Sequence, residues 1–122
     1  MKKLLSLFTI ILALSLTACS EDHTPASPKA IACAKEAVEI AEDYLSYDID
    51  YKKASERLDE LREDMAYVSD MSKDDEHYYG DFAIQCDLLS LSSALVSDNH
   101  KSTNETYDKI QEIIDGIKED IE

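Results

Sequence analysis

The chain predicts an all-α fold, an up-down-up-down four-helix bundle. Three observations carry this expectation. Only Gly80 and Gly116 are glycine and both prolines precede residue 30, so few positions suit hairpin turns. No segment alternates at period two for long. Apolar residues recur instead at helical spacing nearly throughout.

Each helix has its own signature. Ser27 is a good N-cap and Pro28 suits a first helical position, so the first helix runs from there to about Ser46. Ile31, Ala34, Val38, Ala41 and Leu45 form its stripe, with Cys33, Ala37, Ile40 and Tyr44 beside it. Asp50 caps the second helix, and Ile49 packs on Ala54 as a hydrophobic staple. Tyr51, Ala54, Leu58, Leu61, Met65 and Val68 then follow at spacings of 3, 4, 3, 4 and 3, a heptad seam. Ser72 with Asp75 caps the third helix, and Ser102 with Glu105 forms a capping box for the fourth. The fourth carries Tyr107, Ile110, Ile114, Ile117 and Ile121. Links near 47–50, 71–72 and 98–102 are short, which makes consecutive helices antiparallel neighbours, with shallow crossings.

The third helix differs from the others. Between Phe82 and Val96 its only charge is Asp87. Phe82, Cys86, Leu89 and Val96 line one side, while Ile84, Leu88, Leu91 and Leu95 line another. A helix apolar on most of its circumference is expected to be buried on both sides. The functional alternative is that one stripe is a partner or dimer face.

Ahead of the bundle, Lys2 and Lys3 precede an apolar run from Leu4 to Leu16. The run is too short for a bilayer span of about 20 residues. Leu16-Thr17-Ala18-Cys19 closes it. This N-terminus resembles the signal peptide and lipobox of bacterial lipoproteins. The resemblance implies a signal peptide over 1–18 and a lipid thioether on Cys19, with palmitate-type acylation. It also implies a home in the bacterial cell envelope, on the extracytoplasmic side, with the membrane as partner through that lipid. Residues 19–27 read as the lipidated N-terminus and a polar tether of at most about 30 Å beyond Cys19, so the domain works near the membrane. Residues 28–122 read as one acidic helical domain.

The chain holds 12 Lys and Arg against 27 Asp and Glu. Removing Lys2 and Lys3 with the signal leaves 10 against 27, a net charge of −17 for residues 19–122. Such a surface excludes nucleic acid, whose phosphates require a basic footprint. It also excludes adhesion to an anionic membrane by the folded surface itself. Solubility accounts for the acidity, and recognition of a basic partner or of divalent cations is the sharper alternative.

Ala30-Ile31-Ala32-Cys33 and Ala83-Ile84-Gln85-Cys86 match at three of four positions, at an offset of 53. The same offset sets Ala41 on Ala94, Leu61 on Ile114 and Val68 on Ile121, which raises two duplicated helical hairpins as a form of the bundle. With Cys19 lipidated, Cys33 and Cys86 remain as an even pair in an exported chain. If a pseudo-twofold axis relates the hairpins, equivalent positions near it face one another. A Cys33–Cys86 disulfide is expected on that basis, with two buried thiols as the alternative.

Catalytic constellations are missing. His77 and His100 sit at opposite ends of the third helix, about 35 Å apart at 1.5 Å per residue. His77 and Asp81, with Glu76 nearby, make at most a weak metal site and read as a solvated turn. The acids at 48, 50, 70 and 74–76 lack the spacing of a calcium loop. No phosphate loop, zinc-protease helix or nucleophile elbow occurs, so no catalytic residue, metal or cofactor is expected. Seven tyrosines without tryptophan are the compositional oddity. Tyr44, Tyr51 and Tyr107 fit helix seams. Tyr78 and Tyr79 beside Asp74, Asp75 and Glu76 form the best contact patch, because tyrosine serves interfaces well.

The expected function is a non-enzymatic, membrane-anchored lipoprotein that engages another envelope protein. One alternative is an inhibitor or immunity-type lipoprotein that neutralises a basic enzyme or toxin. Another is a module binding a cation or small ligand.

Overall fold

A computed structural model describes residues 25–121. The segment 1–18 expected to be a signal peptide, Cys19 and His23 lie outside the described residues. The fold is all-α, with helices α1 (Pro28–Leu45), α2 (Tyr51–Asp64), α3 (Tyr78–Lys101) and α4 (Asn104–Asp120), and a 3-10 turn over Ala66–Asp70. Consecutive helices pack in an up-down-up-down bundle. α1 also touches α3 and α4, whereas α2 and α4 make no contact.

Side-chain size explains this flattened cross-section. Ala30, Ala34, Ala37 and Ala41 of α1 are fully buried. Helix axes approach as closely as the side chains between them allow, so a face of alanines lets α1 reach α3 across the short diagonal. α2 and α4 are thereby held apart. The larger side chains fill the two flanks, with Leu58 and Met65 on one and Ile110, Ile114 and Ile117 on the other, all fully buried.

Local chemistry sets most helix ends. Ser27 Oγ accepts from the Ala30 N–H at 3.3 Å and Asp50 Oδ1 from the Lys53 N–H at 2.9 Å, the expected N-caps. Three boundaries correct the expectations. α2 stops at Asp64, and Met65 and Val68 stay buried from the 3-10 turn that follows. The Gln85 amide donates to the Met65 carbonyl at 3.2 Å and satisfies one orphan acceptor there. α3 begins at Tyr78, not near Ser72. Ser72 Oγ takes the Asp74 N–H and Asp75 Oδ1 the His77 N–H, local turns that compete with helix. The final capping box is Thr103 with Thr106, because Ser102 adopts φ 44° and ends α3.

The expected Cys33–Cys86 disulfide is not formed. Both thiols are free, Cys33 buried and Cys86 exposed. Helices α1 and α3 do run in parallel, but their register is 54 residues and not 53. Ser27 bonds Asp81 and Tyr44 bonds Asp98, each pair 54 apart. Buried Ala34, Ala37 and Ala41 likewise correspond at this register to buried Leu88, Leu91 and Leu95. One residue of slip rotates a helical position by about 100°, which turns Cys86 outward while Cys33 faces the core. The burial of α2 and α4 corresponds at 56, with Ala54, Leu58 and Leu61 answered by Ile110, Ile114 and Ile117. The hairpins are alike in architecture, yet the sequence match at 53 is not their structural register.

Asp87 is the one charge in the middle of α3, and its Oδ2 is buried. Burial, and then the neighbouring Asp120 carboxyl, push its pKa up to about 7. An acid raised in the folded state holds a proton that the unfolded chain has released. Stability from this group is therefore full below about pH 4 and is lost as pH rises toward 7. Asp87→Asn should flatten that fall and raise stability at pH 8 by about 1–2 kcal/mol, less than the full shift implies because solvent screens a half-exposed pair. Urea unfolding midpoints between pH 5 and 8 measure it, and a midpoint at pH 8 no higher than that of the parent chain would contradict it.

Candidate functional site

Two features of the bundle are not accounted for by core packing alone. One is a polar latch where the chain enters α1, and the other is the outer face of α3.

The latch centres on Asp81, which is 0% exposed. Its Oδ1 accepts from the Ser27 N–H at 2.7 Å. Its Oδ2 accepts from the Ser27 hydroxyl and the Tyr67 hydroxyl, each at 2.7 Å. Burial pushes Tyr67 up to about 12, so it stays a neutral donor. The Lys29 ammonium sits 4.7 Å over the Tyr67 ring, a cation–π contact. His77 Nδ1 lies 2.7 Å from the Pro25 carbonyl oxygen, and that bond raises the imidazole pKa. Gly80 lets the strand-like lead-in approach, because a Cβ there would lie 2.6 Å from Ala26 N. Pro25–Ser27 are thus docked on α3, which shortens the tether expected over 19–27. His77 lies at the end of the expected solvated turn and bonds the lead-in, whereas Asp81 is buried and fully engaged by Ser27 and Tyr67.

At the opposite end, Asp98 joins three elements. Its carboxylate accepts from Tyr44 of α1 and Thr106 of α4, both at 2.6 Å. Burial, then the Asp98 hydrogen bond, raise the Tyr44 pKa. These contacts are structural, and they fix the ends of α3 while its middle faces solvent.

That middle overturns the expectation of burial on both sides. Ile84, Leu88, Leu91 and Leu95 are buried, but Tyr79, Phe82, Leu89 and Val96 are 56%, 44%, 55% and 42% exposed, and Cys86 is exposed among them. Tyr79, Phe82, Cys86, Leu89, Ser93 and Val96 follow at spacings of 3, 4, 3, 4 and 3. This is a heptad seam without a partner helix among the described residues, about 26 Å long at 1.5 Å per residue. α3 already contacts α1, α2 and α4 with its other faces, so no element among the described residues is left to cover it.

The patch expected around Tyr78 and Tyr79 lies at the N-terminal end of this seam. Tyr78 is half-buried, stacked on Phe82 at 5.9 Å and edge-on to Tyr79 at 5.1 Å. Asp74, Asp75 and Glu76 are exposed on the turn just before it. The patch is therefore one end of a longer apolar strip. Its signal was in the spacing itself, which does not say which of two apolar stripes faces inward.

Beside the strip, α3 and α4 enclose an open groove of about 1010 Å³. Among the described residues, no group of three His, Cys, Asp or Glu side chains is placed to hold a metal ion, and no helix is long and apolar enough to cross a membrane. Compared with protein families, with curated proteins and with solved structures, the chain matches none.

Proposed function

We propose that the chain is a small envelope lipoprotein, anchored through Cys19, whose helical domain is a non-enzymatic protein-interaction module. The observation that carries the interaction reading is the solvent-exposed heptad seam of α3. Contiguous exposed apolar surface on a stable domain marks interaction sites, and tyrosine and phenylalanine at its end suit a contact centre. The Leu16-Thr17-Ala18-Cys19 motif supports the anchor.

An acidic inhibitor of a basic envelope-acting enzyme or toxin is the second reading, supported by the excess of 27 acids over 12 bases. Capture that collapses with salt favours it.

Two experiments test the proposal. Cys19→Ala should move the protein from the membrane to the soluble fraction, and retention in membranes would refute the anchor. Cross-linked capture by the lipidated protein should recover an envelope protein. A variant altered at Asp74, Asp75, Glu76, Tyr78 and Tyr79 should lose it, and equal recovery would remove those residues from the contact.

A further inference from the structure

We infer that the α3–α4 groove, with Leu89 of the apolar seam on its near wall, docks an amphipathic basic helix supplied by a partner protein. This deepens the interaction reading and rests on it. The groove floor is small and uncharged, formed by Ser90, Ser93, Ala94 and Ser97 of α3. They sit at i, i+3, i+4 and i+7, one face of the helix, and their size lets a third helix come close. Leu89 from α3 and Ile113 from α4 supply the apolar contacts. The far wall, on α4, carries Glu105, Asp108 and Glu112, about one acid per turn at 3.6 residues per turn. Its only cation is Lys109, and that ammonium lies 3.8 Å from Glu112.

A groove with a small, uncharged floor, apolar side chains at Leu89 and Ile113 and one acidic wall selects a helix with an apolar stripe and a row of Lys or Arg along one edge. A second copy of this chain does not meet that description. Its own seam helix bears no Lys or Arg before Lys101, so it would leave the acidic wall unanswered and bring a second acidic surface against the first. An acidic or neutral helix fails for the same reason.

The test uses the full chain in nanodiscs of zwitterionic lipid, with empty nanodiscs as background. The probe is a three-heptad Leu/Lys amphipathic peptide, and its control carries Glu in place of every Lys. The Leu/Lys peptide is expected to bind and to weaken as salt rises, and the Leu/Glu peptide is not. Leu89→Asp is the deciding variant. It adds negative charge, so diffuse attraction of a cationic peptide would grow, whereas docking in the groove should fall at least tenfold. Asp108→Asn with Glu112→Gln should lower affinity and flatten the salt dependence. Leu89 is more than half exposed, and an unchanged circular dichroism melt shows that the variant folds.

Equal or tighter binding by Leu89→Asp overturns the proposal, as does equal binding of the Leu/Glu peptide. Sedimentation showing a dimer that Leu89→Asp dissociates would also overturn it, by placing a second copy on the seam. If the lipidated chain captures an envelope protein that Leu89→Asp captures equally, the groove assignment falls and the interaction reading stands.

Discussion

Asp81→Ala is expected to cost the domain about 3 kcal/mol of unfolding free energy, since buried donors left without an acceptor lose about 1–3 kcal/mol each. The Ser27 N–H, the Ser27 hydroxyl and the Tyr67 hydroxyl all donate to that one carboxylate. Alanine removes the acceptor, and the Ser27 and Tyr67 hydroxyls, 3.4 Å apart, can replace only part of what is lost. Asp81→Asn retains one oxygen but turns an N–H₂ toward donors, so about half of the loss should remain. Chemical denaturation of the three proteins at pH 7 measures the series. An alanine variant within 0.5 kcal/mol of the parent, the usual span of a neutral surface change, would show that the latch contributes nothing to stability.

Gly80→Ala should be nearly as damaging, by a different route. The added methyl would meet Ala26 N at 2.6 Å, Ala26 Cα at 2.7 Å and the Pro25 carbonyl carbon at 3.0 Å. These are backbone atoms and cannot turn aside as a side chain would. The lead-in must lift off α3, which also parts Ser27 from Asp81. Overpacking of this kind costs about 1–3 kcal/mol. Because both substitutions undo one contact, Gly80→Ala and Asp81→Ala together should cost clearly less than the sum of the two alone. Strict additivity in that double-mutant cycle would mean that the glycine and the carboxylate act separately.

Much of the fold follows from local chemistry. Ser27, Pro28 and Asp50 mark helix starts through groups only a few residues away, and the Ile110-Ile114-Ile117 spacing names a buried face without knowledge of its partner. What escapes such reading is decided at long range or by rotation. Asp81 reads in the sequence, with His77, as part of a solvated turn, and its partners lie 54 and 14 residues away. Ser72 and Asp75 carry the right groups for a cap, but they spend them on local turns. Cys33 and Cys86 match in sequence and differ in outcome because one residue of register carries about 100° of rotation. The two stripes of α3 are equally apolar on paper. The contrast between Leu88 inside and Leu89 outside comes from where α1, α2 and α4 stand.

The position of the latch has a mechanical consequence. A pull arriving along the chain ahead of Pro25 does not reach the free end of α1 first. It loads the Pro25–His77 and Ser27–Asp81 bonds, which divide the force among α1, α3 and the turn bearing Tyr67. Unravelling α1 residue by residue is thereby replaced by simultaneous shear of several short hydrogen bonds, a harder event. Under force spectroscopy with the N-terminus held, the parent chain should yield in one step at higher force, and Asp81→Ala should give way at lower force from α1 inward. The domain thus has a three-bond polar fastening at the point where the chain enters it.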